Sequence, residues 1–212
     1  MKKLESTMKN MVLVLTGTAV VTGGLLAVSN ETTKDAIAAQ AEKDKKVAVY
    51  QALNIKEGAL QISDPVTVQK DFGEGMVTFE VYHATDKEGN EKGAAIKSVS
   101  GGFGGDIEIM VGFDADGKVT GYKVLKHAET PGLGAKAGEW FQKGQKGDIV
   151  GKDAGDLKVS KDGGEIDAIT ASTITSRAFL KAVNQAHDAC FSKASDVKKD
   201  TSDVHTGASP KK

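Results

Sequence analysis

From Met11 to Val28 the chain runs through eighteen consecutive uncharged residues, mostly Val, Leu, Ala and Gly. No other feature narrows its folding options as far. A helix of that length reaches the lower end of what is needed to cross the hydrocarbon of a bilayer. Lys2, Lys3 and Lys9 precede the run, whereas Lys34 is the only basic residue in the first dozen or so after it. The positive-inside bias therefore keeps the N-terminus in the cytoplasm and sends the rest of the chain across. Ala36-Ile37-Ala38 resembles the small-residue cleavage site of a signal peptide. The apolar run exceeds a usual signal core and that site lies far downstream, which favours a retained single-pass anchor in the cytoplasmic membrane.

The chain then divides into a cytoplasmic stretch (1–10), a transmembrane helix (11–28), a juxtamembrane helical segment (29–64), a folded domain (65–191) and a tail (192–212). The 212 residues hold one ordinary domain plus tails. With 28 Lys+Arg against 29 Asp+Glu, net charge -1, no global field selects nucleic acid or another polyanion. Cys190 is the only cysteine, so an internal disulfide and thiol-based zinc or iron–sulfur sites are excluded. It reads as a small buried residue on a helix face.

Thr32 to about Leu53 reads as a polar helix with sparse apolar members, Thr32 or Thr33 serving as N-cap. Pro65 opens a β-rich region. Met76–His83 favours strand and ends at the turn-like Asp86–Asn90, with Ala94–Val99 returning as its partner. Ile107–Phe113 and Val119–Leu125 flank Asp114-Ala115-Asp116-Gly117, a strong hairpin signal. A Gly-rich connection follows Trp140-Phe141, with a short strand expected near Leu157-Lys158-Val159. Thr175–Phe191 is the clearest helix, with Phe179, Val183, Ala186 and Cys190 forming one apolar face. The composition beyond Ser192 is that of a disordered tail. The expected fold is α+β: a mostly antiparallel sheet with flanking helices, on one N-terminal transmembrane helix.

Three motifs bear on chemistry. Gly101-Gly102-Phe103-Gly104-Gly105 lets the backbone bend sharply, but it lacks the Gly-Lys-Ser/Thr ending of a phosphate loop and precedes a strand, so a glycine-rich bend is expected. His127-Ala128-Glu129-Thr130-Pro131-Gly132-Leu133-Gly134 follows a strand end, and Pro131-Gly132 fits the centre of a type II turn. His127 and Glu129 admit a metal-site reading, but two ligands without a third favour a solvated turn. Thr170-Ala171-Ser172-Thr173-Ile174-Thr175-Ser176 packs five hydroxyls ahead of a helix, as caps, phosphate ligands or a modification site. His83, His187 and His205 lack a supporting constellation.

The order of these motifs closely resembles the FMN-binding domain of membrane redox subunits. The likeness is strongest to the G subunits of Rnf-type ion-translocating ferredoxin:NAD oxidoreductases, to which the C subunits of sodium-translocating NADH:quinone reductases are related. It covers about Thr32 to Phe191. In that family a flavin transferase joins FMN through its phosphate to the last threonine of a Ser/Thr-Gly-Ala-Thr motif, which aligns with Thr173. Ala171 stands here for the usual Gly and Ser172 for the usual Ala; if the loop requires positive φ at 171, alanine is strained there.

The resemblance further implies that the Glu129–Gly134 turn lies against the isoalloxazine ring. Leu133 would give apolar contact, and Thr130 or backbone groups would bond ring heteroatoms. Thr170 and Thr175 would surround the phosphate, and Asp167 would help form the loop the transferase recognises. Trp140 packs either on the flavin or in the core. The function implied is an extracytoplasmic electron relay carrying covalent FMN. The chain has no iron–sulfur ligands and no NAD or ferredoxin motif, so it would depend on partner subunits rather than act as an enzyme alone. Two alternatives are the quinone-reductase C subunit and a membrane-anchored binding module without flavin.

Overall fold

A computed structural model of the chain describes residues 7–73 and 75–191. The tail assigned to 192–212 lies outside the described residues, as do Lys2, Lys3 and His205. The described residues divide into two compact units, one ending at Lys45 and the other beginning at Lys46.

Helix α1, Met8–Ala52, is unbroken. It is long and apolar enough to cross a membrane, by length and composition, and Val12, Leu13, Leu15, Val20, Val21, Leu25 and Leu26 are all exposed. The expected helix start at Thr32 or Thr33 is not there. Thr32 Oγ1 bonds the Val28 and Ser29 carbonyls at 3.1 and 3.0 Å, and Thr33 Oγ1 bonds that of Ser29 at 2.8 Å. A hydroxyl turned back onto the preceding turn sits within a helix and cannot cap one.

The second unit is built on six strands: β1 (Gln61–Ile62), β2 (Val66–Asp71), β3 (Met76–Thr85), β4 (Glu91–Gly101), β5 (Asp106–Asp114) and β6 (Val119–Lys126). The order is β1-β3-β4-β5-β6, with β2 also pairing β3, and every pairing is antiparallel. The Asp114–Gly117 hairpin forms as its residues dictate. Asp114 Oδ1 accepts the amides of Asp116 and Lys118 at 3.0 and 2.9 Å, and Gly117 takes the positive φ of 83° that closes the turn.

Alternation gives the sheet two apolar faces. Ile107, Ile109, Val111 and Phe113 of β5 join one core with α3 (Thr173–Phe191), whose Phe179, Val183 and Ala186 point into it. Phe179 stacks on Phe141 at 4.4 Å and meets Tyr122 edge-on at 4.8 Å; truncating such a ring to alanine costs about 3–5 kcal/mol. On the other face Tyr82, Ala84, Ala95 and Met110 pack on Ala48, Val49, Ala52 and Leu53. Gly112 is required there, because a β-carbon would collide with the Ala52 carbonyl. Thr120 Oγ1 donates to that carbonyl at 2.9 Å.

Three local expectations are corrected. Helix α3 begins at Thr173 rather than Thr175. No strand forms at Leu157–Val159. The Leu157 amide and carbonyl are taken by the Asn184 side chain at 3.0 Å each, and Val159 makes only an isolated parallel bridge to Ile166. Cys190 is half-buried, and burial pushes its thiol up to about 11.

Candidate functional site

The segment after β6 folds into the turn its sequence demands. Leu133 N–H donates to Thr130 O at 3.1 Å across Pro131-Gly132, and Gly132 has φ 78°, as a type II turn needs at its third position. A single 3₁₀ turn (Gly134–Lys136) leads into the short helix α2 (Ala137–Trp140). Tyr122 fixes this segment: its hydroxyl donates to Ala137 O at 2.7 Å and accepts the Phe141 amide at 3.1 Å.

The hydroxyl-rich loop is closed by Ser176. Its Oγ accepts the Ile169 amide and donates to the Ser172 carbonyl, both at 2.9 Å, while the Ser172 amide bonds Ile169 O at 3.0 Å. Between them Ala171 has φ 61°. The left-handed region costs a residue with a β-carbon roughly 1–2 kcal/mol, so the loop is strained at Ala171. Thr173 is the first residue of α3 and half-buried. Helix geometry leaves the first amides without intrahelical acceptors and makes that end the positive pole.

Glu129 joins the two loops. Its Oε1 accepts the Phe103 and Gly104 amides at 2.7 and 3.0 Å, and its Oε2 accepts the Thr175 hydroxyl at 2.7 Å. Only 6% of the residue is exposed, so the solvated-turn expectation fails for Glu129, although His127 is exposed. Burial works to raise its carboxyl. The Gly104 amide, the Thr175 hydroxyl, the Phe103 amide and nearby His127 outweigh that and hold it below the ordinary glutamate value. The glycine-rich run is the β4–β5 bend, and its spacing serves this contact. A β-carbon on Gly102 or Gly134 would collide with the Glu129 carboxylate.

Beside this clasp lies a cleft of about 320 Å³, lined by Phe103, Glu129, Thr130, Leu133, Gly134 and residues 171–175. The structure thus gathers Glu129, Thr130, Leu133, Gly134, Ala171, Ser172, Thr173 and Thr175 in one place. Thr170 is exposed and outside the lining, and Thr175 is buried against Glu129. Asp167 is exposed; its carbonyl accepts Trp140 Nε1 at 2.8 Å, and the tryptophan packs against the core. Phe103 and Ile174 were not legible as lining residues. Phe103, Leu133 and Ile174 are 72%, 41% and 53% exposed, three apolar side chains held in water around one cleft. The volume is in the small-molecule range. Apolar rim, polar turn and positive helix end suit a flat, partly apolar ligand ending in an anion.

The family profile described as FMN-binding domain matches residues 102–188, and that described as the RnfG N-terminal region matches residues 1–51. The G subunit of the ion-translocating oxidoreductase complex of Aliivibrio fischeri is 34% identical over 85% of this chain and 89% of its own length. Its counterpart from Escherichia coli K12 is 36% identical over 77% and 81%. The chain belongs to the family of G subunits of ion-translocating oxidoreductase complexes. A crystal structure of NqrC from Shewanella oneidensis is also similar, at TM-score 0.48 and 19% identity over 69% of this chain and 91% of that one.

Proposed function

We propose that this protein is the membrane-anchored, FMN-carrying electron-transfer subunit of an ion-translocating oxidoreductase complex, with FMN esterified to Thr173 and the domain on the extracytoplasmic side. The observation that carries the reading is the convergence of two loops distant in sequence, Glu129–Gly134 and Ala171–Thr175, on one cleft with Thr173 at a helix start. Membership of the G-subunit family supports the setting.

The residues fit the group. Thr173 Oγ1 would be the ester oxygen, and the first amides of α3 would face the phosphate. Leu133, Phe103 and Ile174 would cover the ring's apolar surface, while Thr130 and the turn's backbone would bond its heteroatoms. Thr175 is engaged by Glu129 and would position the loop rather than touch the phosphate. Bound FMN supplies one- and two-electron exchange; the protein's part is to hold it at a fixed place and keep water from one face. A separate flavin transferase would make the ester, and the other subunits would supply and accept electrons. The bilayer would hold α1, with the N-terminus in the cytoplasm.

The test is a complex carrying Thr173→Ala. It should assemble with all subunits and lose electron flow through this one. Full electron flow in the assembled variant would refute the relay.

A further inference from the structure

Lys161 Nζ donates to Thr173 Oγ1 at 3.3 Å. Twelve residues separate the two, and what brings them together is a braced turn. The 3₁₀ turn Ser160–Asp162 is held by the Ser160 amide on Ile166 O at 2.8 Å and the Gly164 amide on Val159 O at 3.1 Å, with Gly163 at φ 82° ending it. Asp162 takes two guanidinium nitrogens of Arg177 at 2.6 and 2.7 Å. Arg177 lies four residues after Thr173, on the same side of α3. The bidentate pair therefore fastens the turn to the start of the helix and carries the neighbouring Lys161 to the Thr173 hydroxyl.

A phosphoester at Thr173 would bring negative charge close to two carboxylates: Asp162, and Glu129 behind the Thr175 hydroxyl. Arg177 is occupied by Asp162, which leaves that pair near neutrality. Among the described residues, Lys161 is the charged side chain hydrogen-bonded to the Thr173 hydroxyl. The helix amides supply partial charge only, whereas Lys161 is a full positive charge already set on the Thr173 hydroxyl. We propose that Lys161 is the phosphate-binding cation of the flavin site, positioned by the Asp162–Arg177 bridge. This rests on the attachment at Thr173 proposed above.

The experiment uses the full chain co-produced with a limiting amount of flavin transferase, and reads the covalently modified fraction by intact mass. Lys161→Ala should lower that fraction about fivefold, the factor matching the upper end of an exposed charge pair. Lys161→Glu should lower it further and Lys161→Arg should keep it near wild type. Lys152→Ala, an equal loss of charge elsewhere, should change nothing. Raising salt should narrow the gap between wild type and Lys161→Ala, and thermal midpoints should match because the side chain is exposed. Equal modification of wild type and Lys161→Ala would overturn the proposal, as would an Arg variant as impaired as Ala. A wild-type chain without covalent flavin would instead overturn the attachment, and this inference with it.

Discussion

Glu129→Ala is the most demanding perturbation of the site because one side chain closes three contacts. The substitution leaves the Phe103 and Gly104 amides and the Thr175 hydroxyl without their acceptor. Thr175 is 1% exposed, so its hydroxyl cannot turn to water, and a buried unsatisfied group costs about 1–3 kcal/mol. Phe103 and Gly104 are exposed, so their amides can rehydrate at a smaller cost. The sum is about 3 kcal/mol, a large share of a typical domain's stability. Glu129→Gln keeps the shape and one acceptor oxygen, and should cost about 1 kcal/mol for the lost charge. The wild-type carboxyl is held below 4.5 in the folded state. Its stabilisation is therefore complete at pH 7 and is lost as pH falls through 4.5 toward the folded value, so the margin over Glu129→Gln should shrink on acidification. Urea unfolding of the full chain in detergent, followed by the fluorescence of its single tryptophan, Trp140, reads all three quantities. An Ala variant within about 0.5 kcal/mol of wild type, far below the loss expected for a buried donor, would refute the clasp. So would a Gln margin that does not change with pH.

Ala171→Gly should stabilise the unmodified domain by about 1 kcal/mol, because glycine accepts φ 61° without strain; an unchanged unfolding midpoint would show the loop unstrained. Leu133→Ala should shift the absorption or potential of the attached flavin and leave it attached, and an unaltered spectrum and potential in a folded variant would remove Leu133 from the ring. Protease added to cells with only the outer barrier opened should digest the domain after about Ser29, whereas protection until lysis would reverse the assigned orientation.

Much of this molecule follows from local sequence. Asp114–Gly117 carries its own turn chemistry, the alternating Ile107–Phe113 run sets the sheet's two faces, and Pro131-Gly132 dictates the bend before Leu133. Features that depend on distant partners were not legible. Nothing near Glu129 shows that its acceptors will be filled by amides 25 and 26 residues earlier and a hydroxyl 46 residues later. Lys161 looks like any surface lysine until the Asp162–Arg177 pair sets it beside Thr173. Residue types alone place the start of α3 two residues late, because Ser172 and Ser176 close the loop through backbone groups that leave no pattern in the sequence. Leu157–Val159 has strand-like residues, but Asn184 takes the hydrogen bonds a neighbouring strand would have used.

The central claim is the bond at Thr173, and a peptide map of the full chain co-produced with a flavin transferase tests it most directly. The expected result is the mass of one FMN on the peptide containing Thr170–Ser176, localised to Thr173. It should be absent in Thr173→Ala and present in Thr175→Ala, with partial modification in Thr173→Ser. FMN localised to Thr170, Ser172 or Thr175, or a Thr173→Ala chain that stays covalently yellow, would contradict it.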